Sequence, residues 1–162
     1  FSGGNNIGSQ NKILFKNKTL EKDDVSISRE LVELKLLSWS IQNKKPVIGV
    51  CKGMQFINSF FGGNQFITDR SKHVNKMHEL SFIEKEFIEI YGESQTVNSY
   101  HNFGINRKNL APNLIPTSLF DNEVESFKHV KNKIYGIMWH PERNFPFNKS
   151  DIELFKNVFF RQ

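Results

Sequence analysis

Cysteine is almost absent from this chain. Of 162 residues only Cys51 carries a thiol, so no disulfide can form within it. One thiol with histidines elsewhere is the usage of an intracellular thiol enzyme, not of a stapled secreted domain, and a cytoplasmic location is expected. No apolar run approaches the roughly 20 residues that a membrane-spanning helix needs. No secretory signal pattern is visible either, so no membrane partner is expected. Internal repeats, low-complexity tracts and linkers are missing, which points to a single domain over residues 1–162. A basic stripe with regularly placed aromatics is also missing. The 22 Lys and Arg against 17 Asp and Glu give a net charge of +5, but the lysines are scattered among Asn and Glu. That is the pattern of a solvated surface and not of a nucleic-acid face, although the charge suits an anionic small molecule. What is present is 38% hydrophobic residues and 16 Phe, enough for one domain with a real core.

The most informative stretch is Pro46-Val47-Ile48-Gly49-Val50-Cys51-Lys52-Gly53-Met54-Gln55. A mostly apolar run after proline reads as a short buried strand. Gly-x-Cys-x-Gly then turns sharply into Phe56, Ile57, Phe60 and Phe61, which read as a helix. This is the strand–turn–helix setting of a nucleophile elbow, with sulfur in place of a hydroxyl. Gly49 and Gly53 let strand and helix approach closely. The turn aims the Lys52 N–H and the positive end of the new helix at whatever Cys51 attacks. That helix end is expected to lower the thiol pKa.

Around the elbow the chain alternates elements. Phe1-Ser2-Gly3-Gly4-Asn5-Asn6 reads as a strand end opening into a glycine turn, whose N–H groups suit an anion. Residues 8–25 are polar and read as a loop. Ser26 or Ser28 caps a helix with Leu31, Leu34, Leu37 and Ile41 at helical spacing, widened by Val32, Leu36 and Trp39. Helix, strand, elbow and helix make a βαβ rhythm, which argues for a parallel sheet covered by helices. Further on, Gln65–Thr68, 79–83, 86–91 and Thr96–His101 read as strands. Leu114–Phe120, an alternating stretch from Val124 to Val130 and Ile134–Trp139 read as three more, the last two joined by a turn at Lys131-Asn132-Lys133. Asp151–Phe160 reads as an amphipathic helix. His73 and His78 are candidate metal ligands, but no Cys or carboxylate at ligand spacing accompanies them, so no metal is expected.

His140-Pro141-Glu142 follows the last of these strands. Residues two apart in extended chain point the same way, and Pro141 biases His140 towards extended geometry. Glu142 then orients the His140 ring or holds its charge, as the third member of a triad does. Nucleophile, base and orienter are thus all supplied.

With these motifs the sequence resembles a class I glutamine amidotransferase-like domain, most closely the γ-glutamyl hydrolase branch. The matching stretches are Ser2-Gly3-Gly4-Asn5, Arg29-Glu30-x-x-Glu33, Pro46 to Gln55, Gly62-Gly63, Val97-Asn98-Ser99-Tyr100-His101, and Tyr135-Gly136-Ile137-x-Trp139-His140-Pro141-Glu142. The resemblance implies an α/β, flavodoxin-like, mostly parallel sheet with helices on both faces and an antiparallel hairpin near its C-terminal end. It implies a Cys51–His140–Glu142 triad that hydrolyses a γ-glutamyl amide through a thioester. The oxyanion would be held by the N–H groups of Gly4 and Lys52, and the glutamyl moiety contacted by Gln55, Ser99 and His101. No cofactor is implied. The family's opening strands, before Ser-Gly-Gly, have no counterpart here, so an N-terminally truncated domain is expected. Lys52 stands where Arg is frequent, Glu30 where Asp is frequent, and Asn102 departs from the usual residue after the motif histidine. Two other readings share the fold: a glutaminase subunit that delivers ammonia to a synthase partner, and a catalytically disabled binding module.

Overall fold

The computed structural model describes residues 1–4, 7 and 27–161. The loop expected over residues 8–25 and a cap at Ser26 lie outside them. Helix α1 (Ile27–Gln42) leads into strand β1 (Val47–Val50), which turns at Cys51 into α2 (Lys52–Phe60). There follow β2 (Phe66–Ile67), a single helical turn α3 (Arg70–His73), β3 (Val74–Phe82), α4 (Lys85–Tyr91), β4 (Ser94–Tyr100) and β5 (Phe103–Gly104). Strands β6 (Leu114–Phe120), β7 (Glu123–His129) and β8 (Ile134–Ile137), a 3-10 turn (Pro141–Arg143) and α5 (Lys149–Phe159) complete the order.

Six strands form one sheet in the order β1-β8-β7-β6-β3-β4, while β2 and β5 pair separately. The sheet is mixed. Among the described residues only β1–β8 is parallel, and the other four pairings are antiparallel. This corrects the mostly parallel sheet suggested by the βαβ rhythm. The reason is connection length: β6, β7 and β8 follow one another through short turns, and a short turn can only reverse direction. On β1's other side, Phe1 donates its N–H to Ile48 O at 2.6 Å and accepts the Val50 N–H at 2.8 Å, the pattern of a parallel bridge. Both faces of the sheet are covered. On β8, Tyr135 meets the Phe87 ring of α4, while its neighbour Gly136 faces Met54 of α2, and successive residues of a strand point to opposite faces.

Two local readings of the sequence are overturned. Residues 85–91 are helical, not a strand. Glu84 accepts the Glu86 N–H as a cap, Phe87 and Tyr91 share one buried face at i,i+4 spacing, and Gly92 ends the helix with φ 78°. On α1 the buried positions include Glu30, Glu33 and Leu37, whereas Leu31, Val32, Leu36 and Trp39 are exposed. The widening flank is thus overturned, although Leu34, Leu37 and Ile41 face the core as their spacing predicts; the buried stripe takes in Glu30 and Glu33 in place of Leu31 and that flank.

The core holds an aromatic group, Phe82, Phe87, Tyr91 and Trp139, at one end of which sits the buried Asp151. Its Oδ1 accepts from both Tyr91 OH and Trp139 Nε1 at 2.9 Å. Burial raises the Asp151 pKa although both donors oppose the shift. Through these bonds α5 and α4 are fixed to the residue that immediately precedes His140.

Candidate active site

Cys51 and His140 leave the sheet at the same end. Val50 pairs with Ile137 in the parallel β1–β8 register, and Cys51 continues the ladder by donating its N–H to Ile137 O at 2.8 Å. The C-terminal ends of adjacent parallel strands form the crevice where open α/β sheets place ligands. At Cys51 the backbone takes φ 51°, ψ −107°. For a non-glycine residue such a conformation costs of order 1–3 kcal/mol and is kept where a side chain must be presented. Gly49 makes the turn feasible: a Cβ there would lie 2.6 Å from the Gly53 carbonyl and 2.6 Å from Ile57 Cδ1.

The environment of the thiol corrects one expectation. Burial dominates and pushes the Cys51 pKa up to about 11. The Lys52 N–H directed at the sulfur and the nearby Arg143 charge act in the opposite direction but do not prevail. The resting group is therefore a neutral thiol, and a base must take its proton during attack.

The imidazole–carboxylate contact that the sequence suggests is formed. His140 Nδ1 lies 2.7 Å from Glu142 Oε1. A carboxylate oxygen accepts, so Nδ1 donates to Glu142 and Nε2 is the ring nitrogen left for another partner. The His140 backbone is clamped by a residue to which the sequence reading gave no role. Asn98 Oδ1 accepts the His140 N–H and Asn98 Nδ2 donates to the His140 carbonyl, both at 2.8 Å. Tyr100 stands edge-on to the imidazole, and Arg143 lies over the Tyr100 ring at 4.0 Å. Gly3 lies against the same imidazole: a Cβ there would be 2.6 Å from His140 Cε1.

The Gly3-Gly4 turn and Lys52 share one brace. Arg29 Nη2 donates to Ser2 O (2.7 Å) and Gly3 O (3.1 Å), and its Nε donates to Glu33 Oε1 at 2.8 Å. The other Glu33 oxygen accepts from Lys52 Nζ. Glu33 and Lys52 are both buried. The i,i+4 spacing of Arg29 and Glu33 is visible in the sequence; that Lys52 completes the chain is not.

The three residues expected at the glutamyl moiety each have a hydrogen-bond partner within the fold. Gln55 Nε2 donates to Phe103 O at 3.0 Å, and Ser99 Oγ donates to His73 O at 2.7 Å. His101 sits in a buried nest with His73 and His78, its Nδ1 on Phe103 O at 3.1 Å and its Nε2 3.2 Å from His73 Nδ1. Burial lowers the His101 pKa, but the nearby Glu125 carboxylate and the Phe103 carbonyl outweigh it and raise the value overall.

The strand-end thiol, the strained elbow and the imidazole–carboxylate pair are the marks of a class I glutamine amidotransferase-like domain. Within that class the chain belongs to the Peptidase C26 family, whose profile matches residues 1–142. It is 35% identical over 136 residues to the gamma-glutamyl-CDP-amidate hydrolase of Campylobacter jejuni, covering 83% of this chain and 60% of that one. It is 31% identical over 122 residues to the carbamoyl phosphate synthase small chain of Aquifex aeolicus, covering 74% and 31%. A glutamine amidotransferase structure from Thermotoga maritima superposes with a TM-score of 0.65 at 15% identity, over 87% of this chain and 60% of that one; at that identity it shows the fold. The chain spans 60 to 62% of the length of the first curated relatives that it matches.

Proposed function

We propose that the protein hydrolyses a γ-glutamyl amide bond, with Cys51 as nucleophile, His140 as acid and base, and Glu142 as orienter. The observation that supports this reading is the parallel pairing of β1 with β8, after which the strained Cys51 and the Glu142-bound His140 follow at the same end of adjacent strands. Because burial keeps the thiol neutral, His140 Nε2 takes the proton as sulfur adds to the γ-carbonyl. The oxyanion so formed accepts hydrogen bonds from the N–H groups of Lys52 and Gly4. One such donor is typically worth about 10²–10³ in rate. His140 returns the proton to the departing amine, leaving a γ-glutamyl thioester. Water then gives a proton to His140 and adds to the thioester. The proton returns to sulfur as glutamate leaves.

Gln55, Ser99 and His101 stay in this reading as the residues nearest the glutamyl moiety, each tied into the fold by a hydrogen bond of its own. The +5 net charge, with Arg143 beside Tyr100 and near the thiol, suits an anionic leaving group such as a nucleotide amidate. That is also the substrate class in the Campylobacter relative's name.

The test uses the whole protein with glutamine, simple γ-glutamyl amines and a γ-glutamyl nucleotide amidate. The reading expects release of glutamate, fastest from the amidate, and a covalent adduct on Cys51 with a glutamine-analogue electrophile. No adduct and no glutamate release from any of the three would overturn it. Similarity to a synthase small chain supports a second reading, ammonia delivery to a synthase partner. That reading requires glutamine to be the best substrate and its turnover to rise when a synthase is added.

A further inference from the structure

The nest behind the elbow contains more ligand chemistry than a folded core requires. We propose that His73, His78 and Glu125 bind one divalent transition-metal ion, with zinc the best match. This does not depend on the proposed hydrolysis. A ring nitrogen of His73, a ring nitrogen of His78 and a carboxylate oxygen of Glu125 lie within 4.8 Å of one another, and all three residues are buried. Tetrahedral ligands at about 2.1 Å from zinc stand roughly 3.4 Å apart, so closing around an ion needs only side-chain adjustment. Two imidazoles and a carboxylate are a common catalytic-type zinc set, with a fourth position for water.

The second observation is polar groups left without partners. His78 Nδ1 and Glu125 Oε1 are buried and have no hydrogen bond among the described residues. A buried polar group left without a partner keeps its desolvation cost uncompensated. The His101 ring approaches Glu125 Oε1 only to 3.5 Å, the long limit of a hydrogen bond.

The surrounding contacts are those that a metal site needs. His78 Nε2 donates to Lys72 O at 2.7 Å, which leaves Nδ1 as the lone-pair nitrogen facing the nest. His73 Nδ1 lies 3.2 Å from His101 Nε2, and His73 Nε2 lies 3.1 Å from Glu123 Oε1. Like His78 Nδ1, His73 Nε2 is buried with no hydrogen bond among the described residues, so it is the nitrogen free for the ion while Nδ1 is held by His101. Thr68 Oγ1 in turn donates to Glu123 Oε1 at 2.7 Å. Two carboxylates, Glu123 and Glu125, also face a set of imidazoles, and a dication balances their charge. Sequence spacing conceals the set, because Glu125 comes from β7 and reaches His78 of β3 across the intervening β6. A bound ion would tie these strands together.

The whole protein is stripped with a chelator, reloaded with Zn2+ or Co2+, dialysed, and analysed for metal content, melting temperature and the visible spectrum of the cobalt form. About one equivalent should be retained, with a raised melting temperature and cobalt d–d bands lacking a thiolate charge-transfer band. Cys51→Ser should bind as the wild type does. His78→Ala and the nearly isosteric Glu125→Gln should each weaken binding about 100-fold or more. Wild-type protein that is folded yet retains neither metal would overturn the proposal. So would binding that is lost in Cys51→Ser but kept in Glu125→Gln, since the ion would then sit at the thiol.

Discussion

Two histidine-bearing regions lie side by side in this molecule and differ in how their polar groups are used. At the ends of β1 and β8, His140 binds Glu142 through one nitrogen and has no hydrogen bond to the other among the described residues. Its partner Glu142 keeps 56% of its side chain exposed. His101, which follows β4, has contacts at both nitrogens and is 3% exposed, against 4% for His140. Both follow sequence motifs of equal prominence. Proton transfer needs a ring nitrogen held on one side and without a partner on the other, and of these two histidines it is His140 that has that arrangement. The nest is closed, which suits a structural or metal-binding role.

Experiments at four residues would sharpen or break that contrast. The largest effect is expected at Cys51. Cys51→Ala should lower hydrolysis by about 10⁴-fold or more with the circular dichroism spectrum unchanged. In the wild type, alkylation of Cys51 should keep accelerating as pH rises towards about 11, because burial has moved the thiol upward and the reactive thiolate grows only as pH approaches that value. A rate already level at pH 7 would show a thiolate–imidazolium pair at rest, and would remove the need for proton transfer during attack.

Next is the brace beneath the elbow. Glu33→Gln leaves Lys52 buried without its counter-charge, and should destabilise the fold by about 3 kcal/mol in chemical denaturation. Asn98 joins the two regions, since it sits on β4 beside Ser99 yet clamps His140. Asn98→Ala removes two buried hydrogen bonds, for which about 2 kcal/mol of stability is expected. It should also reduce kcat about tenfold with KM little changed, because a small displacement of a base is costly. Asn98→Asp, which keeps the acceptor, should recover part of the loss. The smallest effect is expected at Ser99. Its hydroxyl serves the His73 carbonyl, so Ser99→Ala should cost about 1 kcal/mol and leave KM within a fewfold. A large rise in KM would instead make Ser99 a direct substrate contact and erase the distinction between the two regions.

Much of this was legible before any coordinates. Gly-x-Cys-x-Gly after a buried strand dictates the elbow, because only glycine tolerates contacts of 2.6 Å at Gly49. His-Pro-Glu dictates the imidazole–carboxylate pair, because both residues are local to one turn. The misreadings share a cause as well. Residues 86–91 and the buried face of α1 are decided by distant partners, namely the aromatic core at Phe87 and Tyr91 and the buried Lys52 at Glu33.

The amino-acid order by itself determined the local chemistry: a thiol at a tight strand–helix turn, and a histidine held by a carboxylate two residues on. Those are contacts within a few residues, where backbone geometry leaves little freedom. Only the tertiary structure decided that burial makes the thiol a weak acid, that Asn98 clamps His140 from another strand, and that Glu125 reaches His73 and His78 across the sheet. Such facts depend on which strands become neighbours and how much water is excluded between them, and no spacing along the chain encodes either.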